Sequence, residues 1–207
     1  HAPQHLALSS GALRRVWETD IGAGSSKDSF ALSQPVLAGQ SLAVMDATGL
    51  VSLLDAASGR VVWQKSLQPE HEDKAVVSGG VAHGGETLFV ATGYGETVAL
   101  SARDGKLAWR TPLPAPARSA PVLADGRVYV ITVTNELLAL NAATGEPLWT
   151  HAGLHETASL LGGASPAVSQ DMVIAAYSSG EIAALLPDNG RELWVESLSG
   201  SPGGGFA

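Results

Sequence analysis

The sequence predicts an all-β protein made of four repeated, four-stranded antiparallel sheets with one additional N-terminal strand. Three observations carry this prediction. Five tryptophans recur at intervals of 46, 46, 40 and 45 residues, each of the last four follows a glycine by four positions, and short apolar runs fill the intervals. A period in the forties is typical of repeat architectures in which each repeat is one supersecondary unit.

Each repeat is marked by a tryptophan and a glycine. The tryptophans are Trp17, Trp63, Trp109, Trp149 and Trp194, and the glycines are Gly59, Gly105, Gly145 and Gly190. Ten residues before these glycines stand Gly49, Gly95, Asn135 and Gly180, which are residue types that tolerate a left-handed backbone. Two such turns leave room for one short strand between them. We expect structural roles for both marker sets, with the indoles docking neighbouring sheets and the glycines closing turns.

The apolar runs predict the strands. In the first repeat they are Pro35–Ala38, Leu42–Met45 and Val51–Leu54, and the fourth strand carries Trp63. Because these runs are apolar at consecutive positions, both faces of each sheet should be covered by other sheets, as in the blades of a β-propeller. The expected organisation, within a single partial propeller over 1–207, is an orphan outer strand at 13–21, blades at 30–66, 76–112, 117–151 and 162–198, and a flexible tail at 199–207.

Composition excludes several classes of function. The chain has 207 residues, a formal net charge of −8 and no basic cluster, so nucleic acid is not an expected partner. It contains no cysteine, which excludes disulfides, thiolate metal sites and cysteine nucleophiles. The longest uncharged stretch, 29–45, is interrupted by proline and glycine and does not predict a spanning helix. The chain begins at His1 without an apolar leader, so we expect any signal segment to lie outside it.

Three local patterns resemble binding sites at first sight. His151 and His155 have i, i+4 spacing, but on what reads as a loop this spacing does not bring two imidazoles together. The acidic run 70–73 is interpreted as a solvated loop, and Gly93-Tyr-Gly95 as a hairpin turn because no helix follows it. The residues therefore predict no catalytic, cofactor-binding or metal-binding site.

The turn before each tryptophan has a recognisable pattern. It reads Leu-Asp55-Ala-Ala-Ser-Gly59-Arg-Val-Val-Trp63 in the first repeat and Leu-Asn141-Ala-Ala-Thr-Gly145-Glu-Pro-Leu-Trp149 in the third. This resembles the tryptophan-docking motif of the PQQ-like β-propeller repeat family, A-x-D-x-x-T-G-K-x-x-W, and four matches stand in register. The fourth repeat departs from the motif, since Leu186 replaces the aspartate.

The resemblance implies a function, because the family contains two different groups. Quinoprotein dehydrogenases hold PQQ and Ca²⁺ and carry a vicinal cysteine pair, whereas the BamB-type outer-membrane assembly lipoproteins bind no cofactor. The absence of cysteine makes this chain similar to the second group, and the loop 113–118 is more similar to its α-proteobacterial members. The resemblance implies a non-enzymatic periplasmic scaffold at the inner face of the outer membrane, lipidated in its full-length form and without PQQ. A quinoprotein dehydrogenase domain and a generic ligand-binding propeller are the alternatives.

The same resemblance implies partners. They are a BamA-like outer-membrane insertase and unfolded outer-membrane proteins. The stretch Ser159–Pro166 is similar to the inter-blade segment that contacts the insertase, so Leu160 and Leu161 are the expected partner-binding residues, with a buried inter-blade plug as the alternative. Four blades and a strand are about half of a seven- or eight-bladed ring. We expect a fragment able to dimerise into an eight-bladed ring; a fragment that stays single and a compact four-bladed ring are the other outcomes.

Overall fold

The computed structural model describes residues 14–24, 33–71, 79–154 and 163–197. These residues form sixteen β-strands in four sheets. Sheet 1 contains β1 (Val36–Ala38), β2 (Ser41–Met45), β3 (Leu50–Asp55) and β4 (Val61–Ser66). Sheet 2 contains β5 (Gly79–Gly84), β6 (Thr87–Thr92), β7 (Glu96–Ser101) and β8 (Leu107–Pro112). Sheet 3 contains β9 (Val122–Ala124), β10 (Arg127–Ile131), β11 (Glu136–Asn141) and β12 (Pro147–Ala152). Sheet 4 contains β13 (Ala167–Val168), β14 (Val173–Ala176), β15 (Glu181–Leu185) and β16 (Glu192–Ser197).

Every sheet is an antiparallel meander, in which strands adjacent in sequence are adjacent in space. The turns between second and third strands contain the expected left-handed residues, and Asn135 has φ of 62° where the other three sheets have glycine. Gly93-Tyr-Gly95 joins β6 to β7, so this stretch is the hairpin turn that was predicted. No helix in the described part of the chain is long and apolar enough to cross a bilayer.

The fourth strand of each sheet contains a β-bulge directly before its tryptophan. In sheet 1, Leu53 pairs with Trp63 and Leu54 pairs with Val61, so Val62 is an extra residue. The same shift occurs in the other three sheets, where the extra residues are Ala108, Leu148 and Leu193. A bulge bends its strand and increases the local twist. We infer that the bulge helps to turn each indole away from its own ladder and towards the next sheet.

The cores lie between the sheets. In β6, Leu88 and Val90 pack in the cluster shared with sheet 1, whereas Phe89 and Ala91 pack in the cluster shared with sheet 3. A third cluster joins sheets 3 and 4, and Tyr129 at its centre is fully buried. Side chains alternate across a strand, so a sheet placed between two others needs apolar residues at successive positions. The prediction of sheets covered on both faces is therefore confirmed for sheets 2 and 3, whereas sheets 1 and 4 each pack against one other sheet within the described residues.

The first strand of each sheet lies on the inner side of the array. β1 contacts β5, β5 contacts β9, and β9 contacts β13, while the fourth strands with their tryptophans lie at the opposite edge. Adjacent sheets are thus arranged as neighbouring blades of a propeller, and the predicted fold class is confirmed.

The tryptophans dock on turns of the following sheet. Three indole Nε1 groups donate to carbonyl oxygens in the turn between the third and fourth strands: Trp63 to Ala102 (3.0 Å), Trp109 to Ala142 (3.0 Å) and Trp149 to Pro187 (2.8 Å). Each of these acceptors stands three residues before the marker glycine of its repeat. The indole is therefore held both by packing and by a directed hydrogen bond.

The marker glycines are needed for two reasons, and the sequence predicts one of them. Gly145 has φ of 77°, the left-handed conformation expected for the turn. In addition, a Cβ atom at Gly145 would lie 2.6 Å from Cδ2 of Trp109, inside van der Waals contact. The indole of the preceding sheet thus packs directly against the backbone of this glycine.

The N-terminal segment docks as the repeat does but forms no strand. Residues 14–24 contain no strand within the described ranges, which corrects the orphan strand expected at 13–21, because a strand needs a neighbour to pair with. Trp17 nevertheless keeps the docking contact: its Nε1 donates to Ala56 (3.0 Å), three residues before Gly59, and the Ala23 N–H donates to Asp46 Oδ2 (2.8 Å). Trp194, on β16, is 43% exposed and packs on no described turn glycine.

Replacing Trp109 by alanine should lower the free energy of unfolding by about 3–5 kcal/mol, because it removes a large packed side chain and leaves a cavity. Trp194→Ala is the matched control at the same position of the last sheet, and its cost should be about 1 kcal/mol since this indole is largely solvated. Urea denaturation measures both values. Equal costs would contradict the docking role of Trp109.

Replacing Gly145 by alanine should destabilise the protein by more than the left-handed penalty of about 1–2 kcal/mol. Gly126→Ala isolates that penalty, because Gly126 has φ of 72° and a Cβ there meets no atom within 4 Å. Gly145→Ala should lower the free energy of unfolding by more than Gly126→Ala does. The difference measures the cost of displacing the Trp109 indole. A urea titration giving the same midpoint for both variants would show that contact with the Trp109 indole does not require glycine at position 145.

Candidate functional site

The predicted site residues fall partly outside the described residues. Leu160 and Leu161 lie outside them, so their exposure stays a prediction. Two other expectations need correction. The inter-blade loop expected over Thr150–Gly163 begins only after Ala152, because β12 keeps its register with β11 up to the pair Glu136–Ala152. His151, read from sequence as a loop residue, is therefore a strand residue.

A polar cluster lies where β12 ends, at the junction of sheets 3 and 4. Its centre is Asn135, which is 1% exposed. The Oδ1 atom of Asn135 accepts hydrogen bonds from Arg118 Nη1 (3.0 Å) and from the main-chain N–H (3.0 Å) and hydroxyl (2.9 Å) of Ser178. The Nδ2 atom donates to the carbonyl of Leu154 (2.9 Å). One amide thus connects the two sheets and the chain that leaves β12.

Arg118 supplies the charge of this cluster. It is 3% exposed, and its second terminal nitrogen, Nη2, donates to the carbonyl of Ala176 in sheet 4. Burial lowers the pKa of the guanidinium from its usual value, yet an arginine keeps its proton under such conditions. Gly163 lies against this side chain, since a Cβ atom there would be 2.9 Å from Arg118 Nε. Arg118 therefore lies next to the residue at which the described chain resumes.

Leu154 is held by two side chains. Its N–H donates to Glu181 Oε2 (2.6 Å), and its carbonyl accepts from Asn135 Nδ2. The preceding N–H, of Gly153, donates to the carbonyl of Asn135 (2.8 Å). The main chain at the exit from sheet 3 is consequently fixed by groups from sheets 3 and 4, although no ladder continues there.

A second set of contacts ties the outer strands together. The Tyr177 hydroxyl lies 2.6 Å from His151 Nδ1, and His151 Nε2 lies 2.9 Å from Glu192 Oε1 on β16. The two rings stack with centroids 5.8 Å apart. Burial, and then the charge of Glu181, raises the pKa of Tyr177, so its hydroxyl stays protonated. Both imidazole nitrogens are thus occupied by protein partners.

Sequence reasoning missed this cluster. Its members are distant in the chain, and only the fold brings 118, 135, 154 and 178 together. One signal was present: Asn135 stands where the other three repeats have glycine. Asparagine tolerates the left-handed backbone and adds an amide, so this exchange at one repeat indicates a contact that the other junctions lack.

Four sheets with inner first strands, outer fourth strands and tryptophan wedges between them define a β-propeller protein of PQQ-like repeats. Residues 47–205 match the family model described as outer membrane protein assembly factor BamB. The chain belongs to this family.

Relatives agree with this assignment. The outer membrane protein assembly factor BamB of Yersinia pestis is 32% identical over 190 residues, which are 89% of this chain and 48% of the relative. That of Salmonella typhimurium is 30% identical over 192 residues, or 91% of this chain and 49% of the relative. The chain thus spans about half the length of the curated relatives it matches.

Two structural likenesses show the fold. The crystal structure of BamB from Moraxella catarrhalis matches with a TM-score of 0.66 and 24% identity, over 80% of this chain and 48% of that one. A europium-containing methanol dehydrogenase matches with a TM-score of 0.72 and 18% identity, over 89% of this chain and 44% of that one. At these identities the architecture is shared, and function must be argued from other evidence.

Proposed function

We propose that this chain is part of a non-enzymatic scaffold in outer-membrane β-barrel protein assembly. It acts on the periplasmic side of the outer membrane, attached there through a lipid on the full-length protein. Its partners are a BamA-like insertase, bound through inter-blade loops, and unfolded outer-membrane proteins. The observation that carries the proposal is the family match over residues 47–205.

The arrangement of the loops supports a positional mechanism. Packed sheets and their tryptophan wedges fix the ends of the strands, and the polar cluster fixes the main chain where it leaves β12. A rigid scaffold holds the ends of its loops at fixed positions, and binding residues are commonly placed on such loops. Leu160 and Leu161 follow this ordered exit in sequence and are the proposed insertase contacts.

The outer strands support a second contact, with extended apolar segments of unfolded substrates. The bulge residues Val62, Leu148 and Leu193 are 45%, 47% and 42% exposed. Bulges disturb pairing along an edge strand, so they limit the addition of a further strand at these points. Apolar contact along the outer rim is therefore favoured over β-augmentation for substrate binding.

A second copy of this chain is a less favourable partner. Head-to-tail pairing would have to seat Trp194 of one copy on the first sheet of the other. The corresponding docking position on the first sheet is the turn at Gly59. It is already occupied by Trp17 of the same chain, whose indole covers the glycine. The proposed partners are therefore other proteins and not an eight-bladed ring of two copies.

A cofactor-dependent dehydrogenase is the alternative, and its supporting observation is the shared fold with the methanol dehydrogenase. We propose that the chain binds neither PQQ nor calcium, since it has no cysteine to supply the vicinal pair. Calorimetric titration with PQQ and Ca²⁺ together should give only heats of dilution. Heat with a defined stoichiometry would support the dehydrogenase instead.

The insertase contact can be tested by retention on immobilised periplasmic domains of a BamA-type protein. The full chain should be retained, and a Leu160→Asp, Leu161→Asp double variant should lose at least about tenfold in affinity, because charges enter an apolar contact. Val16→Asp with Leu37→Asp is the control, with the same charge change at two exposed apolar residues that belong to no proposed contact, and it should be retained normally. No retention of the wild-type chain would reject the function, whereas normal retention of the double variant would reject the site.

A further inference from the structure

The turn between β15 and β16 contains the one Asn-Gly pair of the chain, Asn189 and Gly190. The other two asparagines, Asn135 and Asn141, are followed by larger residues. In an Asn-Gly pair the main-chain nitrogen of the glycine can approach the side-chain amide carbon with the least hindrance, because glycine has no Cβ. Asn189 is exposed, so water reaches its side chain. The pair thus has the composition and the access that spontaneous loss of an amide requires.

The same turn occurs in all four sheets, but the residue before the marker glycine differs. In each sheet this residue accepts a hydrogen bond from the N–H two positions further along the chain. The pairs are Ser58 with Arg60 (3.4 Å), Asp104 with Lys106 (3.3 Å), Thr144 with Glu146 (3.3 Å) and Asn189 with Arg191 (3.0 Å). Serine and threonine make this bond without a side-chain carbonyl that a nitrogen could attack. The amide in sheet 4 is therefore not needed for the turn itself.

Asp104 has a side-chain carbonyl but is protected by its charge. Hydrogen bonds with Ser101 and Lys106 lower the pKa of its carboxyl group, so the group is ionised at neutral pH. A carboxylate resists attack by a nucleophile and has no good leaving group, whereas the neutral amide of Asn189 can release ammonia. Among the four marker turns, the turn of sheet 4 is the one whose chemistry permits ring closure at neutral pH.

The docked indole of Trp149 holds this turn closed. Its Nε1 donates to the carbonyl of Pro187 (2.8 Å), and a Cβ at Gly190 would lie 2.5 Å from its Cε3 atom. The Gly190 N–H, which must lose its proton before the nitrogen attacks, donates to the carbonyl of Leu186 (2.9 Å). Ring closure therefore requires the turn to open, and the contact with Trp149 opposes that opening.

We propose that Asn189 is a site of spontaneous deamidation and that the docking of Trp149 sets its rate. The Gly190 nitrogen gives its proton to base and bonds to Cγ of Asn189. The bond from Cγ to the side-chain nitrogen breaks, and this nitrogen takes up a proton and leaves as ammonia. Water then opens the succinimide ring at either carbonyl and gives aspartate or isoaspartate. Water is the only reagent consumed, and the proposal does not depend on the proposed function.

Deamidation is tested by incubating the full chain at neutral pH and following the peptide that contains Asn189 by mass spectrometry. This peptide should convert to the acid in both isomeric forms, whereas Asn135 and Asn141 keep their amides. Unfolding in guanidinium chloride should speed the conversion by at least about tenfold, because the turn no longer protects Gly190. Absence of conversion in the folded chain overturns the site. Equal rates in the folded and the unfolded chain overturn the control by structure.

The role of Trp149 is tested with Trp149→Phe, which removes the indole donor and keeps an aromatic ring on the turn. The folded variant should deamidate about fivefold faster, which corresponds to one net hydrogen bond of about 1 kcal/mol. Trp109→Phe makes the same change at the junction of sheets 2 and 3, so it should leave the rate at Asn189 unchanged. Equal rates for the two variants would show that Trp149 does not control the reaction.

The product should weaken the junction of sheets 3 and 4. Isoaspartate routes the main chain through the former side chain, which lengthens the turn by one atom and displaces the Pro187 carbonyl from the indole. After incubation, the urea midpoint of the wild-type chain should fall as isoaspartate accumulates. Asn189→Thr is the matched control, because threonine makes the same turn hydrogen bond in sheet 3, and its midpoint should stay constant. A constant midpoint for the converted wild-type chain would show that the junction tolerates the modification.

Discussion

One contact organises the whole array: an indole of one sheet lies on a left-handed glycine of the next. Burying an indole of about 150–250 Å² contributes roughly 4–6 kcal/mol before entropy is counted. The glycine makes this burial specific, because any Cβ at Gly105 or Gly145 would enter the volume of the ring. The indole N–H then fixes the orientation through a turn carbonyl. The repetition of this contact joins each sheet to the next along the array.

The junction between sheets 3 and 4 uses the same contact and adds polar ones. Two residues after the docking tryptophan, Thr111 donates to the Gly145 carbonyl (2.6 Å), as Thr19 does to Gly59. The equivalent residue in β12 is His151, which bonds Tyr177 and Glu192 instead. Asparagine replaces glycine in the neighbouring turn. The buried hydrogen-bonding groups of this junction add specificity of geometry more than stability, since buried polar groups stabilise little beyond their desolvation.

Much of the fold could be predicted because its signals are local. The interval from Gly59 to Trp63 is a turn followed by a strand, and its repetition is enough to predict four similar sheets. The bulge at Val62 could not be predicted, because it depends on how β3 and β4 pair and not on residue type. The segment before residue 21 has strand-like residues but no neighbouring strand among the described residues, so its lack of strand structure could not be predicted, whereas the docking of Trp17 follows from the tryptophan period. The fixation of the main chain at Leu154 could not be predicted, since Asn135 and Glu181 reach it only through tertiary packing.

The packing also determines where function can be located. In the middle strands of sheets 2 and 3 nearly every side chain faces one of two cores, so a change there alters stability before it alters binding. Strand ends are free of that constraint, and they are where repeats can differ without cost to the array. Departures from the repeat are therefore informative. Asn135 is such a departure, since the other three repeats have glycine at its position. Asn135 and His151 both lie beside the chain that leaves β12, and their hydrogen bonds to Ser178 and Glu192 join sheets 3 and 4 at this end.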